Sequence, residues 1–295
     1  MSSIDSSFTG ALCPIVTPLD DGEVDEESLA SLAEFILDGG VDGLFPCGTT
    51  GEFASLTPEQ RQQVIGTVAE AAGDAPVIAG AAGTSVPEIL DRIEEAEAAG
   101  ADAAAIVGPY FHTANSAEGT RQFFEAIAEE TALPLYLYNI PMYVGNEIPA
   151  ETVGALAEHD SVRGIKDTSG DLSYFLTVDR KTPEGFVLFQ GFDSLLVPAL
   201  RMGSNGGVHA LANVIPEVFA ELIESADEER GAELQREAIA PLFDLCAEYG
   251  FAPATKAALL HRDVIPNDEV KPPLVALDEE AREEIGEAVD RALSV

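Results

Sequence analysis

The stretch SVRGIKDTSGD, residues 161–171, holds the short run VRGI and then Lys166, one of only four lysines in the 295-residue chain. Side chains alternate along a strand, so Gly164, Lys166 and Thr168 share one face while Ile165 and Asp167 share the other. With Ile165 packed against a helical layer, Lys166 points the opposite way, at the end where the strand gives way to the polar turn DTSG. A scarce lysine at the C-terminal end of a buried strand is the arrangement expected at the mouth of a parallel α/β barrel.

Seven similar apolar runs surround it: 11–17 (ALCPIVT), 43–48 (GLFPCG), 76–82 (PVIAGAA), 102–109 (DAAAIVGP), 133–139 (LPLYLYN), 186–191 (FVLFQG) and 206–211 (GGVHAL). Helical patterns alternate with them, among them DEESLASLAEFILDGG, TPEQRQQVIGTVAEAAG, VPEILDRIEEAEAAG and SAEGTRQFFEAIAEET. Several open on a capping Ser, Thr or Asp and close on Gly. Eight βα units whose strands are too apolar to face water predict an α/β fold, a TIM (β/α)8 barrel. A doubly wound sheet is the alternative, but ALCPIVTPLDDG lacks the glycine fingerprint that normally follows its first strand. From about residue 227 only helical periodicity continues. The expected organisation is therefore a barrel over 1–226 and a C-terminal helical extension over 227–295.

Acidic residues number 53 against 15 basic ones, a formal net charge of −38. Such a surface repels nucleic acid and anionic membranes, so neither is an expected partner. The acidic residues line helix faces (EEAEAAG, DEERGAELQRE, EEAREEIGEAVDR) instead of forming one tail, the pattern expected of a protein from a salt-accumulating organism. Cys13, Cys47 and Cys246 are far apart without metal-ligand spacing and read as buried thiols in a reducing compartment; no metal is expected. The opening MSSIDSSFTG has no basic and apolar leader pattern, and no apolar run reaches the roughly 20 residues a membrane span needs, which points to the cytoplasm.

Three groups of residues could carry chemistry at the barrel mouth. A lysine buried there is costly to keep charged, and a neutral amine is a nucleophile able to form a Schiff base with a ketone; a structural ion pair is the plainer reading. Lys181 in a turn, Lys256 in ATKAALL and Lys271 beside two prolines are weaker candidates. In CGTTGE, 47–52, Gly48 and Gly51 allow close backbone approach, and Thr49 and Thr50 offer hydroxyls and N–H groups to a carboxylate or phosphate. In LYLYNIP, 135–141, Tyr136 and Tyr138 share one face, and Tyr138, nearest the strand end, could relay protons.

Taken together, GTTGE, GPYF, YNIP, GIKDTSG and GSNGGVHALANVIPE closely resemble the dihydrodipicolinate synthase and N-acetylneuraminate lyase family of class I pyruvate aldolases, over nearly the whole chain. The resemblance implies that Lys166 forms an imine with pyruvate, that Thr49 and Thr50 hold its carboxylate, and that Tyr138 shuttles protons, with no metal or organic cofactor. It also implies a homotetramer with GPYF near an interface.

Departures from the family pattern bear on the substrate. Tyr143 stands where the synthases usually carry an arginine for the carboxylate of aspartate semialdehyde, and Pro109, Tyr110 and Phe111 replace their Pro-Tyr-Tyr motif. A phenol does not substitute for a bidentate guanidinium. Thr168, in KDT, adds a hydroxyl beside the imine, which suits a polyhydroxylated sugar acid. Val208 and His209, on the eighth run, are further candidates for substrate contact, with core packing the other reading of His209. These features favour a 2-keto-3-deoxygluconate aldolase, acting also on the 6-phosphate. The alternatives are 4-hydroxy-tetrahydrodipicolinate synthase, a keto-sugar-acid dehydratase and a non-catalytic sugar-acid sensor.

Overall fold

The computed structural model describes residues 8–112 and 115–295; the stretch MSSIDSS, read above for a leader, lies outside them. Each of the eight apolar runs contributes a strand: β1 Gly10–Cys13, β2 Gly43–Leu44, β3 Ile78–Gly80, β4 Ala103–Val107, β5 Leu135–Asn139, β6 Val162–Asp167, β7 Val187–Gln190 and β8 Gly206–Val208. They pair in parallel in the order β2-β1-β8-β7-β6-β5-β4-β3. A bridge from Leu44 of β2 to Val77, just before β3, joins the two ends, so the sheet closes into a barrel.

Alternation along the strands sorts the apolar residues into two layers. Leu135 and Leu137 of β5 and Ile165 of β6 face outward into the large cluster shared with the helices. Tyr136 turns inward, where it packs with Phe45, Phe189, Leu12 and Val208 to fill the barrel. Above that layer, Tyr138, Ile140, Val107, Ala82 and Val144 form a third cluster at the C-terminal ends of the strands. Inward-facing side chains therefore fill the barrel below, and the third cluster lies above them at the strand ends.

The outer helices begin and end where local chemistry directs. In α1, Glu26–Asp38, the Asp25 side chain accepts from the Ser28 N–H, and Leu29, Leu32, Ala33 and Ile36 form the buried stripe. Thr57 and Gln60 make a reciprocal capping box at the start of α2, Pro58–Ala72. Ser85 caps α3, Val86–Ala98, and Ser116 caps α4, Ala117–Glu130. After β5 come α5, Ala150–Leu156, then α6, Leu172–Asp179, α7, Leu196–Arg201, and α8, Pro216–Glu224.

Beyond the barrel, a short helix Glu229–Glu233 runs through a π-helical stretch into α9, Ala240–Tyr249, followed by α10, Phe251–His261, and α11, Glu279–Leu293. Leu242, Cys246, Leu259 and Val289 from these helices belong to the same apolar cluster as the barrel's outer layer. Helical periodicity does not continue unbroken as the sequence suggested: residues 262–278 form an irregular strap. Pro266, Pro272 and Pro273 lie in it, and a proline supplies no helical N–H. The strap returns to the barrel, where Asn267 Nδ2 donates to the Leu19 carbonyl at 3.0 Å.

No helix among the described residues is long and apolar enough to cross a membrane. The three cysteines are buried and unpaired. Acidic side chains crowd the solvent faces, as on α11, where Glu283, Glu284, Glu287 and Asp290 are all exposed. At a net charge of −38 the folded surface repels itself, and only salt screens it, with a Debye length of about 3 Å at 1 M against about 30 Å at 0.01 M. The thermal midpoint, followed by circular dichroism, is expected to fall steadily as KCl is lowered from molar to millimolar concentrations. An unchanged midpoint would mean that self-repulsion is not limiting.

Candidate active site

A cavity opens at the C-terminal ends of the strands, with about 580 Å3 of space between its walls out to the mouth. Lys166 rises from the end of β6 into it and is only 5% exposed. Its Nζ lies 4.2 Å from the ring centre of Tyr138 and 5.1 Å from that of Phe45. The amine thus sits on an aromatic floor that keeps water from one side of it. Gly191, just after β7, leaves room for the lysine stem: a Cβ there would lie 2.9 Å from Lys166 Cε and 2.1 Å from Thr168 Oγ1.

Register places Tyr138 directly opposite Lys166, and Asn139 opposite Asp167. The outward-facing pair pins that register, since Asn139 Nδ2 donates to Asp167 Oδ1 at 2.7 Å. The Ser169 hydroxyl donates to the other oxygen of Asp167 at 2.9 Å. Burial still pushes the Asp167 carboxyl up to about 6, against the lowering effect of these hydrogen bonds. Tyr138 Oη lies 3.5 Å from Thr49 Oγ1, at the outer limit of a hydrogen bond, so the loop after β2 meets the phenol beside the amine.

Of the residues singled out from the sequence, Lys166, Tyr138, Thr49, Thr50, Thr168, Tyr143 and Val208 all line this one cavity. Thr168 Oγ1 is buried there without a hydrogen-bond partner. Gly48 and Tyr110 are not among the lining residues: a Cβ on Gly48 would lie 2.9 Å from the Phe45 ring, and Tyr110 packs, partly buried, against the Tyr138 cluster. His209 does not reach the cavity. Val208 faces inward, so its neighbour faces out: the His209 ring stacks on Phe219 of α8 at 5.3 Å, with Nδ1 3.4 Å from Asp193 Oδ1. Period-two alternation sends adjacent residues to opposite sides, so Val208 and His209 cannot both face a ligand in the barrel.

Other parts of the wall were not read from the sequence. Phe243 and Ala247 of α9 and Phe251 of α10 close one side of the cavity, next to Phe192. They come from helices whose apolar periodicity looked like ordinary core. Lys166 is the only cationic side chain among the lining residues. Within the described residues, no group of three or more His, Cys, Asp or Glu side chains is placed to hold a metal ion.

The arrangement can capture a carbonyl compound covalently at the amine, seat an anionic group at the threonine loop and move a proton through a phenol. Comparisons with known proteins identify the family. The dihydrodipicolinate synthetase family matches over residues 7–292. The 4-hydroxy-tetrahydrodipicolinate synthase of Desulfotalea psychrophila is 38% identical over 261 residues, covering 87% of this chain and 88% of that protein. The crystal structure of dihydrodipicolinate synthase from Thermotoga maritima superposes with a TM-score of 0.93 at 29% identity, over 98% of this chain and 100% of that one. A prophage protein of the same family from E. coli K12, solved in complex with pyruvate, gives a TM-score of 0.89 at 26% identity, over 97% of this chain and 99% of that one. The chain belongs to the dihydrodipicolinate synthetase family and is a pyruvate-dependent carbon–carbon lyase.

Proposed function

We propose that the protein is a Schiff-base aldolase that cleaves 2-keto-3-deoxygluconate, and its 6-phosphate, to pyruvate and glyceraldehyde or its 3-phosphate. The observation that carries the catalytic part is the buried amine of Lys166 over the Tyr138 ring, with Thr49 at the phenol. In the synthetic direction, Lys166 Nζ attacks C2 of pyruvate and water leaves, giving the imine. The threonine loop holds the carboxylate. Tyr138 gives its proton to the departing hydroxyl; the protonated imine then draws electrons from C3, the C3 proton passes to the Tyr138 phenolate and the enamine forms. Its C3 attacks the aldehyde carbon, Tyr138 supplies the proton to the new alkoxide, and water hydrolyses the imine to free the amine. Cleavage runs the same steps backward.

The choice of aldehyde rests on the lining. A substrate with a second carboxylate would meet no cation there beyond the lysine that is already committed to pyruvate; by the family resemblance of the YNIP segment, Tyr143 stands where the synthases usually carry arginine. Thr168 Oγ1, buried and unpaired, is available to a substrate hydroxyl. The second reading, 4-hydroxy-tetrahydrodipicolinate synthase, is favoured by the name of the Desulfotalea relative. The acidic surface and the family pattern further support a cytoplasmic homotetramer in a salt-accumulating cell, with Phe111, 79% exposed, near a subunit interface.

Borohydride reduction in the presence of pyruvate is expected to fix the three-carbon unit to Lys166, read by mass spectrometry after digestion; labelling of another lysine, or none, contradicts the mechanism. Light scattering of the active protein is expected to give four times the chain mass, and an active monomer would rule the tetramer out. Aldehyde choice is tested by kcat/KM. The wild type should prefer glyceraldehyde to aspartate semialdehyde, and Tyr143→Arg should narrow that gap by about ten- to a hundredfold, the worth of a charge-assisted bidentate contact of about 1.5 to 3 kcal/mol. A wild type that already prefers aspartate semialdehyde makes the synthase the correct reading.

A further inference from the structure

The loop that carries Thr49 and Thr50 has an unusual backbone. Among the described residues only four non-glycine positions have positive φ, and two of them, Cys47 at +56° and Glu52 at +58°, bracket this turn; the other two are aspartates. Neither cysteine nor glutamate is favoured in the left-handed region, so the surroundings must hold the turn in shape. Some of that restraint is local. Thr17 Oγ1 donates to the Gly51 carbonyl at 2.9 Å, and a Cβ on Gly51 would come within 2.8 Å of the Ile15 carbonyl oxygen.

The remainder arrives from the far end of the chain. The Glu52 side chain is buried, and its Oε1 lies 2.5 Å from Nζ of Lys256, itself fully buried in α10. Glu52 Oε2 accepts from the backbone N–H of Lys271 in the strap at 2.9 Å, while Lys256 Nζ also donates to the Glu269 carbonyl at 2.6 Å. Burial pulls the Lys256 ammonium below its usual value, and the neighbouring Glu52 carboxylate pulls it back up. Lysine is almost never fully buried without a partner, and this one sits in the apolar window FAPATKAALL, where packing alone would favour a hydrophobic residue. A buried ion pair is weak evidence for stability, since apolar replacements often do as well. Its position suggests another use. It ties α10, whose first residue Phe251 lines the cavity, to the residue two places beyond Thr50.

We propose that the buried pair Glu52–Lys256 is a positioning device for the keto-acid carboxylate. It locks the left-handed end of the 47–52 turn, so that Thr49 and Thr50 stay aimed at the substrate on Lys166 and Thr49 stays against the Tyr138 hydroxyl. The inference rests on the reading that pyruvate is bound at Lys166. Releasing the pair frees the turn to relax, and the carboxylate subsite is lost while the amine is untouched.

The test compares wild type, Lys256→Met and the double variant Glu52→Met/Lys256→Met, which exchanges both charges for unbranched apolar chains and keeps the fold if the single variant does not. For each, the thermal midpoint, the KM for pyruvate, the KM for the aldehyde and kcat at saturating pyruvate are measured, along with borohydride labelling. The KM for pyruvate is expected to rise about tenfold or more, the scale of one charge-assisted hydrogen bond, with kcat and the aldehyde KM changed far less. Labelling at Lys166 under saturating pyruvate should persist. A folded double variant with the wild-type KM for pyruvate overturns the positioning role, whatever its midpoint. Failure of the wild type itself to label at Lys166 overturns the Schiff-base reading instead, so the two failures are distinct.

Discussion

The meeting of amine and phenol at the barrel mouth depends on the register between β5 and β6. Tyr138 stands opposite Lys166 because Asn139 stands opposite Asp167, and those two are joined by a 2.7 Å hydrogen bond on the outer face. A slip of one residue would send the phenol and the amine to opposite sides of the sheet. The outer pair is tied in turn to its surroundings: the Ile148 N–H donates to Asn139 Oδ1, and the Tyr174 hydroxyl donates to the Ile148 carbonyl. A polar network behind the strand ends thus fixes an apolar and aromatic front, where an isolated amine can be held.

The second support of the site is of a different kind. Strand ends deliver Lys166, Tyr138 and Val208 through alternation and barrel closure, with the register of the first two held by the Asn139–Asp167 bond behind them. The threonine turn after β2 is not part of the sheet, and its backbone carries left-handed residues at both ends. A turn of that shape persists only where neighbours over-determine it. The C-terminal helices and the strap after them supply such neighbours, which gives the extension a structural reason to exist beyond covering apolar surface.

These two kinds of support differ in how visible they are in the chain. Barrel strands show in the sequence because each is a short apolar run bounded by turn residues, and the caps of α1 and α2 show because Asp25, Thr57 and Gln60 have the side chains that capping needs. Lys166 shows because its residue type is at odds with the run that it ends. The aromatic wall formed by Phe243 and Phe251 does not show, since nothing in a helical apolar stripe tells which residue faces a cavity and which faces core. Nor does the Glu52–Lys256 contact, which joins residues distant in sequence. Its one trace is a charge in an apolar window. His209 and Val208 could have been separated beforehand, because alternation forbids adjacent strand residues from facing the same way.

The net charge of −38 also constrains how an anionic substrate can be recognised. A keto acid approaching this surface at low salt is repelled, and at molar salt long-range attraction is screened within about 3 Å. Electrostatic steering is therefore of little use in either condition. The short-range contacts of the proposed mechanism remain effective in both: a covalent bond to the buried amine, hydroxyls and backbone N–H groups at the threonine turn, and an aromatic floor against water. With Lys166 the only cation among the lining residues, the site relies on the contacts that salt weakens least.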